Sequence, residues 1–300
     1  MREIYKDQFS TFHPITNMVF FLGAILMGMF FIHPAFVALS ILISVTYLLT
    51  LKKTKAFKEL LYMLFLFVLL SVINPVFDRL GATVLFELFG RPYTLEALIY
   101  GMTLGGMAIA VLCWFACYNA IMTSDKFIYI FGRIMPSISM ILSMILRLIP
   151  NFAQKTRQIS DARSSIGLAR DTSANRKEKM RNGALVLSAL AGWALEGGII
   201  TADSMQSRGY GTGKRTSFAK HRFDARNNIL LVFMGVLIVF IIFCAVNGST
   251  KAEYVPYVTI TWFGNIYMLT GMIAYGLFLV LPAALQLKET VKWKILRSRM

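Results

Sequence analysis

Six apolar stretches that hold no Asp, Glu, Lys or Arg decide what this chain can fold into. They lie within residues 15–51, in two pieces parted by His33 and Pro34, and at 60–74, 97–122, 229–246 and 256–287. A helix needs about 20 apolar residues to cross a hydrocarbon core of about 30 Å, and inside that core only helices and closed barrels pair every backbone polar group. The rest of the composition agrees: 57% of the 300 residues are hydrophobic and 15% are charged, with a mean hydropathy of +0.62. Soluble domains carry about a quarter charged residues. The expected fold class is therefore all-α, a polytopic integral membrane protein with about six transmembrane helices and a cytoplasmic helical region.

Proline and charge punctuate the spans. Pro34 removes a backbone donor and disfavours helix at His33, so residues 15–51 read as a hairpin of two short helices. A turn at Asn74 and Pro75 is expected to end the third span. Residues 76–94, with Asp78, Arg79, Glu87 and Arg91, read as an outer connection carrying a short interfacial helix. The last stretch is long enough to need tilt or a break at Pro282. Arg2, Glu3, Lys6 and Asp7 precede the first stretch and no small-residue cleavage site follows, so that stretch reads as an uncleaved span.

Two further stretches, 127–149 and 184–202, are apolar enough to be taken for spans. Charge separates the models. If neither crosses, 28 of the 31 Lys and Arg fall on the side of both termini, and only Arg79, Arg91 and Lys251 fall on the other. If both cross, the loop at 150–183 moves outside with its eight basic residues. Lysine and arginine near spans stay in the cytoplasm, which favours six spans in the cell membrane with both termini inside. The net charge of +16 is then mostly positive-inside bias, and nucleic acid is not an expected partner. Membrane lipid is.

The same stretches exclude several activities. Ionisable groups at membrane depth mark ion paths, and the six spans have none; His13 and His33 stand at span edges and His221 in a cytoplasmic loop. Three cysteines make no disulfide framework, and Cys113 and Cys117 have no nearby histidine, so they read as packing residues. No phosphate-binding loop, metalloprotease motif or nucleophile elbow is present, so neither catalysis nor a cofactor is expected. Asp161 and Asp171 balance neighbouring arginines. Whatever this chain moves, another chain is expected to supply the energy.

The informative part is residues 124–228. The stretch from Phe127 is broken at Gly132 and Pro136 and closes on Leu146, Arg147 and Pro150; a second helix after Pro150 stops near Gly167. From Asn182 a further helix runs to Gly209 and Gly211, and its small residues Ala189, Ala191, Gly192, Ala194, Gly197 and Gly198 suit close helix contact. Each helix ends on an arginine between small residues: Ala162, Arg163, Ser164 and Ser207, Arg208, Gly209. Small flanks leave a guanidinium free to enter a groove. Arginine suits that use because its planar fork is permanently charged and binds carboxylates bidentately.

At these motifs, together with Leu146, Arg147 and Pro150, the chain resembles the transmembrane coupling subunit of energy-coupling factor transporters. The resemblance implies that the two arginine motifs dock into two homologous ABC-type ATPase subunits, with Arg147 and Pro150 supporting the coupling helix. It implies a third partner, a substrate-binding membrane subunit (S-component) for a vitamin or metal ion, and no catalysis by this chain. Ser164 and Ser207 depart from the family's more usual glycine and alanine, and both stay small. The implied organisation is a membrane domain at 1–123, a coupling domain at 124–228, a two-span hairpin at 229–287 and a basic tail at 288–300. The competing reading is a self-contained permease or membrane enzyme whose basic loop binds lipid or phosphate.

Overall fold

The computed structural model describes residues 8–77, 83–88, 91–166, 176–213, 224–250, 252, 254 and 266–298. Among these the chain forms α1 (Gln8–Thr11), α2 (Pro14–Phe30), α3 (Pro34–Lys52) and α4 (Thr54–Phe77). A hairpin of β1 (Val84–Leu88) and β2 (Arg91–Thr94) follows, then α5 (Leu95–Ile121), α6 (Ser124–Ile134), α7 (Pro136–Ser165) and α8 (Arg176–Ser207). The chain closes with α9 (Ala225–Cys244) and α10 (Ile266–Ser298). Seven of these helices are long and apolar enough to cross a membrane, and α2 is a shorter apolar helix of 17 residues. The fold is all-α and polytopic. His221, Asp171, Gly167, Arg79, Lys251 and residues 256–265 lie outside the described residues.

Two units make up the chain: Met1–Lys126 with His221–Met300, and Phe127–Lys220. The first holds α2, α3, α4, α5, α9 and α10. Lipid gives no hydrophobic drive between helices, so association rests on packing, close backbone approach and interhelical hydrogen bonds. All three occur here. Trp114 of α5 is fully buried, donates its Nε1–H to Ser40 Oγ of α3 at 3.1 Å, and meets Phe20 of α2 edge-on at 5.6 Å. Phe20 stacks on Phe278 of α10 at 5.2 Å, and Tyr47 of α3 lies 6.4 Å from Trp114, so one aromatic chain joins four helices. At Gly106 a methyl group would come within 2.8 Å of Val37 Cγ1, so α3 and α5 approach as closely as they do only because α5 has no side chain there. Cys113 and Cys117 are buried in the same unit, and Cys113 Sγ lies 3.3 Å from Met63 Sδ of α4.

The ends of this unit are fixed by short-range chemistry. His13 and His33 each precede a proline, and each accepts the backbone N–H two residues on through Nδ1, from Ile15 at 3.3 Å and Ala35 at 3.2 Å. Proline in the first helical turn lacks an N–H that would go unpaired there, so the His-Pro pair starts α2 and α3 alike. Both histidines are at most 3% exposed, deeper than the span-edge position suggested. Thr94 caps α5 by accepting the Ala97 N–H at 3.4 Å.

Two hydrogen-bonded groups mark opposite ends. At one, Gln8 N–H donates to Gln286 Oε1 of α10, and His13 N–H to Asn227 Oδ1 of α9. At the other, the Tyr254 hydroxyl lies 3.0 Å from Ile32 O and 3.3 Å from Thr103 Oγ1, and Tyr254 packs against Tyr100. The start of α2 and residue 286 thus share one end of the unit, and the α2–α3 turn and the start of α5 share the other.

Three expectations are corrected. Pro75 does not end α4, which runs on to Phe77; so near the helix end its missing N–H costs only one terminal bond. The outer connection carries a β-hairpin in place of an interfacial helix, with Val84 opposite Thr94 and Glu87 opposite Pro92. Its run of Val, Leu and Phe around Gly90 suits extended pairing, and Glu96 in the first turn of α5 holds it by accepting the N–H and hydroxyl of Thr83. Pro150 does not stop its helix; at Pro282, where tilt or a break is expected, the helix runs on without a break. The glycines of α8 at 192, 197 and 198, which suit close helix contact, have no atom of the described residues within 4 Å of where a Cβ would stand.

Candidate functional site

In the second unit α7 and α8 form the frame that carries both arginine motifs. Met135 and Pro136 start α7, and Gly132 in α6 would place a Cβ within 2.7 Å of Ser139 Oγ, so the α6–α7 corner closes tightly. From Pro136 the helix runs unbroken through Leu146, Arg147 and Pro150 to Ser165. Arg147 and Pro150 are both exposed at its middle. Pro150 has no N–H to give to Leu146, so α7 loses one ladder bond where Arg147 stands beside it.

Two contacts fix how α7 and α8 pair. Arg163 donates from Nη2 to Asn182 Oδ1 at 3.3 Å, and the Phe152 ring meets the Trp193 ring edge-on at 5.6 Å. Lys155 Nζ lies 5.7 Å from the same indole. Moving back along α7 from 163 to 152 moves forward along α8 from 182 to 193, so the helices are antiparallel. Arg163 therefore stands at one end of the pair and Arg208 at the other. At 1.5 Å per residue, the length of α8 from Asn182 to Arg208 separates them by roughly 39 Å. The structure does not bring the two motifs together; it holds them at opposite ends of the helix pair.

The motifs are built alike but anchored differently. Ala162 and Ser164 are exposed around a half-buried Arg163 in the last turn of α7. Ser207, Arg208 and Gly209 are all exposed at the end of α8. Both serines turn their hydroxyls back on their own helix, Ser164 to Ser160 O and Ser207 to Asp203 O, each at 2.9 Å. Each then presents little more than a methylene beside its arginine. This is the chemical equivalent of the smaller flank from which the sequence departs.

Arg208 owes its position to the glycine that follows. Tyr210 N–H donates to Met205 O at 3.0 Å and Gly209 N–H to Gln206 O at 2.9 Å, the paired bonds of a Schellman cap with Arg208 as the last half-helical residue. That cap needs a left-handed residue, and Gly209 supplies it at φ 76°. Sequence reading found the arginines and their flanks. It missed Asn182, Trp193 and Lys155, whose only signal is that they fall opposite 163 and 152 once α7 and α8 are laid antiparallel.

Large apolar side chains remain exposed along both helices. On α7 these include Ile141, Ile145 and Ile149; on α8, Leu187, Leu195 and Ile199. Neither helix has a buried residue in its most apolar window. The frame thus offers two charged tips and an apolar flank.

A comparison with curated proteins gives no match. A family model described as CbiQ, cobalt transport protein, matches residues 9–219, which take in α1 to α8 and both arginine motifs. On that match the chain belongs to the CbiQ family of cobalt transport proteins.

Proposed function

We propose that this protein is the transmembrane coupling subunit of an energy-coupling factor importer, and that Arg163 and Arg208 dock it to two homologous ABC-type ATPases. The observation that carries this reading is the placement of two alike arginine tips at opposite ends of one antiparallel helix pair. A pair of homologous ATPases offers two similar grooves related by approximate two-fold symmetry, and a single tip would serve only one of them. Each tip is a guanidinium between small residues, a form that enters a groove and pairs with a carboxylate there once water is excluded.

The remaining parts have roles that follow. The exposed apolar flank of α7 and α8 suits a substrate-binding membrane subunit, which would take the vitamin or metal ion; the family's description favours cobalt. Closing of the ATPases on ATP moves the two tips, and the stiff helices pass that motion to the substrate-binding subunit. This chain hydrolyses nothing and carries no substrate. Both termini and residues 124–228 lie in the cytoplasm, where the ATPases are.

Co-purification tests it. The parent should retain both ATPases, Arg163→Glu and Arg208→Glu should each weaken retention, and the double variant should lose both while still inserting in the membrane. Retention of active ATPases by the well-inserted double variant would sink the docking model and return the basic region to a lipid- or phosphate-binding role.

A further inference from the structure

Arg163 does not stand alone at its end of the α7–α8 pair. Arg157 lies less than two turns back on α7, and Arg176, Lys177 and Arg181 open α8; all four are exposed. The Arg163–Asn182 hydrogen bond sets the two helices level with each other. Counted from there at 1.5 Å per residue, the three α8 cations lie within roughly 9 Å along the axis in one direction and Arg157 roughly 9 Å in the other. Asp161 and Glu178, also exposed, are the carboxylates beside them.

This placement works against the helix that carries it. The N-terminus of a helix bears a partial positive charge, so cations are disfavoured in its first turn, where Arg176 and Lys177 stand. Lys177 and Arg181 are four residues apart, a like-charge pair on one face of α8. Glu178 in the same turn offsets part of this, yet none of the four cations closes an ion pair among the described residues. Cations that neither favour their own helix nor pair within the chain project their field into the solvent around Arg163. At physiological salt a charge is felt over about 8–10 Å, which is the spacing of this cluster, so the four charges add to that of Arg163.

We propose, on the docking role given above, that Arg157, Arg176, Lys177 and Arg181 form a basic collar that steers an ATPase with an acidic rim around its docking groove onto the Arg163 tip. Arg163 enters the groove and holds. The collar stays in water, acts before contact and raises the rate of encounter. Exposed charges of this kind add little to the complex once it has formed. The collar therefore governs association, and the tip governs dissociation.

The test uses the full chain in discs of zwitterionic lipid together with its ATPase pair. Association and dissociation rate constants are read at several ionic strengths for the parent, for the triple variant Arg176→Gln, Lys177→Gln, Arg181→Gln, and for Arg176→Lys with Arg181→Lys. Glutamine forms helix about as well as lysine, and neutralisation removes the like-charge pair, so α8 should keep its amide protection. In the triple variant association should fall about tenfold at low salt and depend less steeply on ionic strength, with dissociation within about twofold of the parent. The lysine variant keeps the charges and should associate like the parent. Arg157→Gln, on the other helix, should slow association about twofold to threefold, and so reports even if the triple variant disturbs α8. Association of the triple variant within twofold of the parent overturns the collar, as does a loss that lies in dissociation, since contact and not steering would then be at work. A loss that appears only when the discs are made of anionic lipid also overturns it and assigns the patch to the membrane. A parent that binds no ATPase overturns the docking role itself, and that result is read before any variant is made.

Discussion

The two arginine tips differ in how firmly they are held, and residue-scale predictions follow from that. Arg208 depends on a backbone turn. Gly209→Ala forces a side chain into a left-handed residue at φ 76°, which costs about 1–2 kcal/mol. The Schellman bonds should loosen and ATPase affinity should fall by about tenfold, measured by titration of the immobilised parent and variant. Arg163 depends on a side chain. Asn182→Ala removes one hydrogen bond to a charged group, about 1.5 kcal/mol at most where the pair is part-exposed, so affinity should fall by about fivefold, well short of Arg163→Glu. Equal losses for the two Asn182 and Arg163 variants would mean that Asn182 itself touches the ATPase.

At the scale of elements, the α7–α8 pair stands on very few contacts among the described residues, and Trp193 makes two of them. Trp193→Ala removes an aromatic pair and a cation–π contact, together about 1–2 kcal/mol at a half-buried site. Amide hydrogen exchange along α8 should quicken while α2 and α5 keep their protection; uniform quickening would place the effect in the whole fold. The two His-Pro starts offer a parallel case: His33→Ala deletes a cap and should destabilise α3 by about 1 kcal/mol, read as a lowered thermal midpoint in detergent. These elements also show what the sequence made legible. The spans were legible because lipid demands long uncharged helices, and the arginine tips because small flanks around a charge have few other uses. Helix continuity through Pro75 and Pro150 was not, since a lone proline removes one bond and neighbouring turns decide whether the helix survives. The hairpin at 84–94 was misread for a related reason: its charges marked it as outside the membrane, while its strand pairing depends on a register that only the partner strand supplies. The small residues of α8 suit close contact, and its glycines at 192, 197 and 198 stand open among the described residues.

For the molecule as a whole, the largest physical consequence attaches to the side of the membrane that holds the arginine tips. Within the first unit, hydrogen bonds set residues 8–13, Lys126, Asn227 and Gln286 at one end and the hairpin, Ile32 and Tyr254 at the other. Six crossings by α2, α3, α4, α5, α9 and α10 satisfy that arrangement whether or not α7 and α8 cross as well, because two added crossings return the chain to the same side. The two models differ only at the α7–α8 turn. If both helices crossed, Arg163, Lys177 and Arg181 would lie outside with the rest of the basic loop, against the retention of such charges in the cytoplasm. Exposed single cysteines separate them: Val84→Cys at the hairpin, Ser124→Cys at the start of α6, Ser165→Cys at the end of α7 and Thr212→Cys after α8. A membrane-impermeant maleimide applied to intact cells should label Val84→Cys alone, and the other three only after permeabilisation. Labelling of Ser165→Cys in intact cells, with Ser124→Cys and Thr212→Cys protected, would put Arg163 beyond reach of any cytoplasmic ATPase and leave Arg208 as the one docking tip.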